Sequence, residues 1–139
     1  MNRKRVSKQI AAILEANSLS WTETATGGMY LRFSSAGVSA EVGRWGSQTL
    51  IQISSNVLTQ IDAGTKRVLV ELNRINKSSQ FGRWGYYKEL RTVAVEYDLL
   101  GDHLQENELM TGLAALARAA DHHDDHLQRL LGGRRAFEV

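Results

Sequence analysis

Leu72-Asn73-Arg74-Ile75-Asn76 is followed by Phe81-Gly82-Arg83-Trp84-Gly85-Tyr86-Tyr87 and then by Val93-Ala94-Val95-Glu96-Tyr97-Asp98-Leu99-Leu100. The first piece reads as the end of an amphipathic helix. The second is aromatic, a composition that favours strands. In the third, Val93, Val95, Tyr97 and Leu99 alternate with Ala94, Glu96 and Asp98, the period-two pattern of a half-buried strand. A helix thus leads into two strands lying side by side. No recognisable catalytic cluster or metal nest interrupts the run. The stretch gives a fold class, and it points to a protein that acts by binding another chain.

Working toward the N-terminus, a helix is predicted from about Ala63 to Lys77. Val68, Leu69, Leu72, Ile75 and Asn76 form its inner stripe, with Lys66, Arg67, Glu71 and Arg74 facing water. Before it, three strands follow one another. Met29, Leu31 and Phe33 alternate with Tyr30, Arg32 and Ser34. Val38, Ala40 and Val42 alternate with Ser39 and Glu41. Ile51, Ile53 and Val57 share a face opposite Gln52 and Ser54. Ser35-Ala36-Gly37 and Gly43-Arg44-Trp45-Gly46-Ser47 read as the turns between them. Such alternation with short connections means an antiparallel meander with one wet face. Thr22 to Gly28 reads as a loop. Arg3 to Asn17 reads as a first helix, with Val6, Ile10, Ile13 and Leu14 on one stripe.

Toward the C-terminus, the aromatic strand is expected over Gly82 to Leu90 and its partner over Thr92 to Leu100. A last helix is expected from Glu106 to Leu131, stopped by Gly132-Gly133. Leu109, Leu113, Leu116, Ala120, His123, Leu127 and Leu130 step four and three alternately, a heptad-like seam. A helix this long either spans the sheet or meets a partner helix. The predicted order is α-β-β-β-α-β-β-α. It defines an α+β fold with a five-stranded antiparallel sheet and helices mainly on one face.

The bulk properties agree with one domain over 1–139, its terminal few residues at each end expected to be loosely held. Of the 139 residues, 42% are hydrophobic and 23% charged, as in ordinary globular domains. Cysteine is absent, which excludes disulfides and thiolate metal sites and suits a reducing compartment. The basic start Met1-Asn2-Arg3-Lys4-Arg5 resembles a signal-peptide n-region, but Lys8, Gln9 and Glu15 interrupt what would be its apolar core. No apolar run approaches the ~18 residues of a membrane span. The expectation is a cytoplasmic protein with no membrane association. A formal net charge of +2 is too mild to argue for nucleic acid. Proline is absent, so no rigid linker marks a second domain.

These elements resemble the YbjN family, whose domains share a fold with the class I chaperones of type III secretion. The resemblance runs best from Val68 to Gly133. It rests on the Leu72-Asn73-x-x-Asn76 helix end, the Phe81-Gly82-Arg83 strand start, Val95-Glu96-Tyr97-Asp98-Leu99, and the long helix closing on Leu131-Gly132-Gly133. It implies a compact, often dimeric domain that holds extended segments of another protein. The chain departs from the family pattern at one place: Lys88-Glu89-Leu90-Arg91-Thr92 has no glycine where an Asp-Gly turn is usual.

Asp121-His122-His123-Asp124-Asp125-His126 places two imidazoles one helical turn apart, a spacing that can share a metal. No glutamate base stands between them and no distant third ligand presents itself, so no metal is expected. His123 falls on the apolar seam and is expected to be packed and hydrogen-bonded. A pH-responsive interface is the softer alternative. Gly43-Arg44-Trp45-Gly46 recurs as Gly82-Arg83-Trp84-Gly85 without matching flanks, so it is no structural repeat. Trp84 is expected in the core; Trp45 either caps a turn or anchors a partner. No glycine-rich phosphate loop and no Gly-x-Ser-x-Gly elbow exists, and the Glu96 and Asp98 pair lacks a cleft.

The sequence therefore predicts a non-enzymatic, chaperone-like or regulatory domain that binds a protein or peptide and needs no cofactor. A homodimer is an option, including one in which the long helix seam serves self-association. Tyr30, Arg32, Trp45, Tyr86 and Tyr87 are the candidate contact residues, suited to strand addition at a sheet edge. The alternative is a regulator associated with nucleic acid, through Arg32, Arg44, Arg83, Trp45, Tyr30 and Tyr86 on the open sheet face. Glu41, Glu96 and Asp98 on that face would repel phosphates.

Overall fold

The computed structural model describes residues 2–136. The expectation of loosely held ends falls on Met1 and residues 137–139, which lie outside the described residues.

Helix α1 (Asn2–Ala16) comes first. Strands β1 (Trp21–Glu23), β2 (Met29–Phe33), β3 (Ala36–Trp45) and β4 (Gln48–Thr59) follow, then helix α2 (Thr65–Asn76). Strand β5 (Arg83–Tyr87) runs through a 3-10 turn over Lys88–Leu90 into β6 (Thr92–Leu100). Helix α3 (Glu106–Leu131) and the short β7 (Arg134–Arg135) complete the described chain.

The strands form one antiparallel sheet in the order β1-β2-β3-β4-β6-β5, and β7 pairs with the end of β4. Among the described residues the sheet has seven strands where the alternation pattern indicated five. Trp21–Glu23 is a strand, not part of a loop: its three residues pair with Leu31, Tyr30 and Met29. Three residues are too few for a visible period. The two-residue β7 could not be read for the same reason. The turns are also tighter than the sequence suggested. Ala36 pairs with Phe33 across Ser34-Ser35, and Trp45 pairs with Gln48 across Gly46-Ser47.

All three helices contribute to one core on one face of the sheet. Val6, Ile10, Ile13 and Leu14 of α1 and Val68, Leu72 and Ile75 of α2 are buried there. They join Leu31, Val38, Ile51, Ile53, Val93 and Val95 from the strands. At ~1.5–3 kcal/mol for each fully buried large aliphatic side chain, this layer is the main stabilising term. Leu69, expected on the inner stripe of α2, is 51% exposed. That helix buries a narrow stripe because it rests on the sheet margin at β5.

Helix α3 crosses the sheet, packing on β4, β6 and β3. It can lie close because a Cβ at Gly112 would stand 3.0 Å from Ile53 Cδ1 and from the Tyr97 ring. Its buried line runs through Leu109, Leu113, Leu116, Ala117, Ala120, Asp124, Leu127 and Leu131. His123 and Leu130 of the expected seam are only partly buried, and Asp124 and Leu131 take their places. A straight helix drifts from a strict heptad, so the last turns present different residues. The seam meets the sheet, so it is not available to a partner helix.

At the far end of β4 the sheet forks. β3 and β4 pair from Trp45 and Gln48 up to Ser39 and Ser54. Val57 is then an extra residue against β6, where Asn56 faces Ala94 and Leu58 faces Val93. Such a bulge bends and twists its strand. Beyond it, β7 runs along Leu58 and Thr59, and the Ala136 amide donates to the Val57 carbonyl at 3.0 Å.

Candidate peptide-binding site

A sheet edge carries unpaired backbone groups that can accept another strand. This sheet has two edges, and they are treated differently. On β5, the Asn76 amide donates to the Trp84 carbonyl at 3.0 Å, while its Oδ1 accepts from the Trp84 amide at 2.7 Å. One side chain at the end of α2 thus occupies both outward backbone groups of Trp84, as a neighbouring strand would. Asn76 is therefore an edge plug rather than a core residue. On the other side, β1 is three residues long and, among the described residues, no strand lies beyond it. β2 outruns it by Arg32 and Phe33, whose outer backbone meets no strand among the described residues.

Two recesses flank that open end of β2. On the helix face, Phe33 and Ser34 with Ala114, Ala117, Arg118 and His122 of α3 enclose a groove of about 490 Å3. On the open face, Tyr30, Arg32, Ser39, Ser54, Asn56 and Thr59 line a notch of about 290 Å3 over the fork. Tyr30 lies down across the sheet because residue 37 is glycine: a Cβ there would collide with its hydroxyl. The Arg32 guanidinium donates to the Ser35 carbonyl at 3.0 Å.

The five candidate residues do not form one site. Tyr30 and Arg32 sit together in the notch. Trp45 is 68% exposed, but it lies six residues along β3 from Ser39, the partner of Tyr30, or about 20 Å away. Tyr86 pairs with Val93 and so points to the helix face, where it packs on the core. Tyr87 is on the open face, four strand steps across from Tyr30 and four residues along from Arg83, the β5 position level with Tyr30, so it is more than about 19 Å away. Its hydroxyl donates to Glu96, and that hydrogen bond raises its pKa above the usual phenol range.

The basic-aromatic face expected for nucleic acid is not assembled. Arg83 bonds Asp98 at 3.0 Å and lies 3.9 Å from Glu96. Arg44 shares the β3 parity of Ala40 and Val42 and lines a recess with Asn2 and Arg3, away from the open face. Glu41 accepts from the Thr24 hydroxyl at 3.0 Å and the Thr26 hydroxyl at 2.7 Å.

The histidines of α3 are engaged with their neighbours. Trp84, 5% exposed and in the core as expected, meets His123 edge-on with ring centroids 5.4 Å apart. His122 packs edge-on against His123 at 4.7 Å. His123 is packed, although it makes no hydrogen bond among the described residues. Burial lowers its pKa, and the neighbouring cations His122, Arg74 and His126 lower it further. His126 Nε2 lies 3.4 Å from Glu71 Oε1. The Arg74 hydrogen bond holds the Glu71 carboxyl below its ordinary range.

Phe33, Ser39, Ser54, Asn56, Thr59 and Asn76 border the two recesses or the plugged edge and were not among the candidates read from the sequence. The alternation put Ser39 and Ser54 on the wet face, but only the register across the fork brings them to Tyr30.

The chain is thus an antiparallel sheet backed by helices on one face, with one edge plugged and one open among the described residues. The chain belongs to the family TY-Chap1, described as T3SS (YopN, CesT) and YbjN peptide-binding chaperone 1, which it matches over residues 2–139. The match confirms the family suggested by the sequence. Its fold is similar to that in the crystal structure of the ExsC–ExsE complex, with a TM-score of 0.66 and 18% identity over 88% of this chain and 93% of that one. It is also similar to the HopA1–SchA chaperone–effector complex, with a TM-score of 0.60 and 7% identity over 82% of this chain and 88% of that one. The crystal structure of E. coli YbjN is a third with a similar fold, with a TM-score of 0.59 and 15% identity over 91% of this chain and 95% of that one. No curated protein sequence matches this chain. Among the described residues, no helix is long and apolar enough to cross a membrane.

Proposed function

We propose that the chain is a non-enzymatic chaperone that holds an extended segment of a partner protein along the open edge of β1 and β2. The asymmetry of the two edges carries this reading: Asn76 plugs β5, while Arg32 and Phe33 leave β2 open. An added strand there gains generic affinity from main-chain hydrogen bonds. Selectivity comes from side chains that enter the Phe33 groove beside α3. A segment that turns over Tyr30 crosses about two strand spacings, ~10 Å or roughly three residues, to reach the notch.

Panning a random dodecapeptide library on the immobilised chain tests the reading. The wild type should enrich peptides with apolar residues at alternate positions. Phe33→Asp, at a half-buried edge position, should lose that enrichment by about ten-fold or more, the effect of roughly 1.4 kcal/mol. Equal enrichment by Phe33→Asp, or none by the wild type, defeats the proposal.

We propose further that two copies associate through the outer face of α2. Leu69 and Val70 are 51% and 61% exposed there. Val70 also borders an apolar groove of about 510 Å3 shared with Leu130 and Leu131 of α3.

A further inference from the structure

The notch gathers polar groups that have no partners of their own among the described residues. Tyr30 Oη, Ser39 Oγ, Ser54 Oγ, the Asn56 amide and Thr59 Oγ converge on it, and none has a hydrogen-bond partner among the described residues. Arg32 donates only to the Ser35 carbonyl, and no carboxylate lies within ion-pair range of it among those residues. Elsewhere on that face the carboxylates of Glu41, Glu96 and Asp98 are engaged. Glu41 is held by Thr24 and Thr26, Asp98 and Glu96 by Arg83, and Glu96 also by Tyr87. Across the turn on the helix side, Asp121 is engaged by the Ser35 hydroxyl at 2.6 Å.

Among the described residues, the lining of the notch therefore offers one cation, several hydroxyls and an amide, and no anion. A guanidinium ringed by neutral donors complements a carboxylate, whose oxygens together accept about four hydrogen bonds. An ammonium or guanidinium ligand would face Arg32 with no counter-charge. An apolar side chain would strip water from these polar groups without replacing their hydrogen bonds.

We propose that this notch is a carboxylate-recognition subsite, in which Arg32 and the surrounding hydroxyl and amide groups seat an aspartate or glutamate side chain of the held segment. The proposal rests on the peptide-holding reading for its biological ligand, but the subsite itself can be tested without any peptide. Segments with an acidic residue about three positions beyond the edge-paired stretch would be preferred.

The test is a nitrogen-labelled NMR titration of the full chain with N-acetyl-glutamate N-methylamide and, separately, with the matching glutamine compound. The glutamate compound should shift the amides of Gly37, Ser39 and Asn56 saturably, with a Kd on the order of a few millimolar. The glutamine compound should bind about ten-fold more weakly or worse, as expected when a charge-assisted contact is lost. Arg32→Gln should abolish the difference between the two compounds. Arg32 is exposed, so this variant keeps the fold, and its spectral dispersion verifies that. Tyr30→Phe, which deletes only the phenol, should weaken the glutamate compound with a smaller effect. Equal response to the two compounds, no saturable shift, or an Arg32→Gln variant that still discriminates would each overturn the proposal. So would inorganic sulfate shifting the same amides with the same affinity, because the notch would then respond to charge alone. Failure here with enriched panning peptides removes the subsite alone. Success here without enriched peptides removes the edge-holding function instead.

Discussion

Arg91 shows how one residue carries a local cost that the fold absorbs. The link from the 3-10 turn to β6 requires a left-handed backbone, and Arg91 adopts it at φ 47° and ψ 44°. Its amide donates to the Lys88 carbonyl at 3.1 Å, and its carbonyl accepts from the Ile61 amide at 3.1 Å. The chain makes this connection without the glycine noted as missing in the sequence, with Arg91 in the left-handed conformation instead. A side chain in that conformation costs roughly 1–2 kcal/mol. Glycine would remove that cost but would widen the unfolded ensemble by about 0.4–1 kcal/mol. Arg91→Gly should therefore stabilise the chain by about 0.5–1 kcal/mol. A higher urea midpoint at unchanged slope is the expected result. A lower midpoint would show that the Arg91 side chain contributes more than its backbone costs.

At the scale of elements, the end of α2 and the strand β5 act as one unit. Asn76 supplies both hydrogen bonds to Trp84, and Trp84 in turn packs on His123 of α3. Asn76→Ala should cost about 1–2 kcal/mol, near the usual net value of two hydrogen bonds. It should also speed hydrogen exchange at the Trp84 amide and reopen the β5 edge to strand pairing. Unchanged exchange at Trp84 would mean that the plug does not protect that edge. This unit also shows what the sequence could convey. The helix end at Asn76, the aromatic strand and the alternating strand were legible because each carries its own period, and α3 was read with the bounds it has in the structure. The role of Asn76 was not, because a side chain standing in for a strand leaves no period. The same limit hid the fork, the notch and β1. Each is created by register between segments distant in sequence, or by elements too short to show alternation. Tyr30 and Arg32 belong to a readable strand, so their shared face was legible. Tyr86 lies on the other face from Tyr30 and Tyr87, because adjacent residues on a strand point to opposite faces.

For the whole molecule, the two proposed surfaces lie at opposite margins of the sheet. β1 and β2 form one margin, and α2 rests on β5 at the other. Two copies joined through α2 would leave both open edges free, so association and segment holding need not compete. The α2 face suits a two-fold contact because Leu69 and Val70 lie on its outer side, flanked by Lys66 and Arg67, while Arg74 already satisfies Glu71. In a two-fold contact the same apolar patch meets itself, and the basic flanks can splay outward into water. Sedimentation across a dilution from about 100 µM to about 1 µM should show a mass of twice the 15.5 kDa chain at the top of the range, falling toward one chain at the bottom. Leu69→Glu with Val70→Glu should give a single-chain mass throughout. Both side chains are more than half exposed, so the double variant should keep the wild-type unfolding midpoint measured at the lowest concentration. It should also retain the panned peptides that the wild type binds. A variant that still forms the double mass would place the contact elsewhere, and one that loses the peptides as well would show that the open edge works only within the pair.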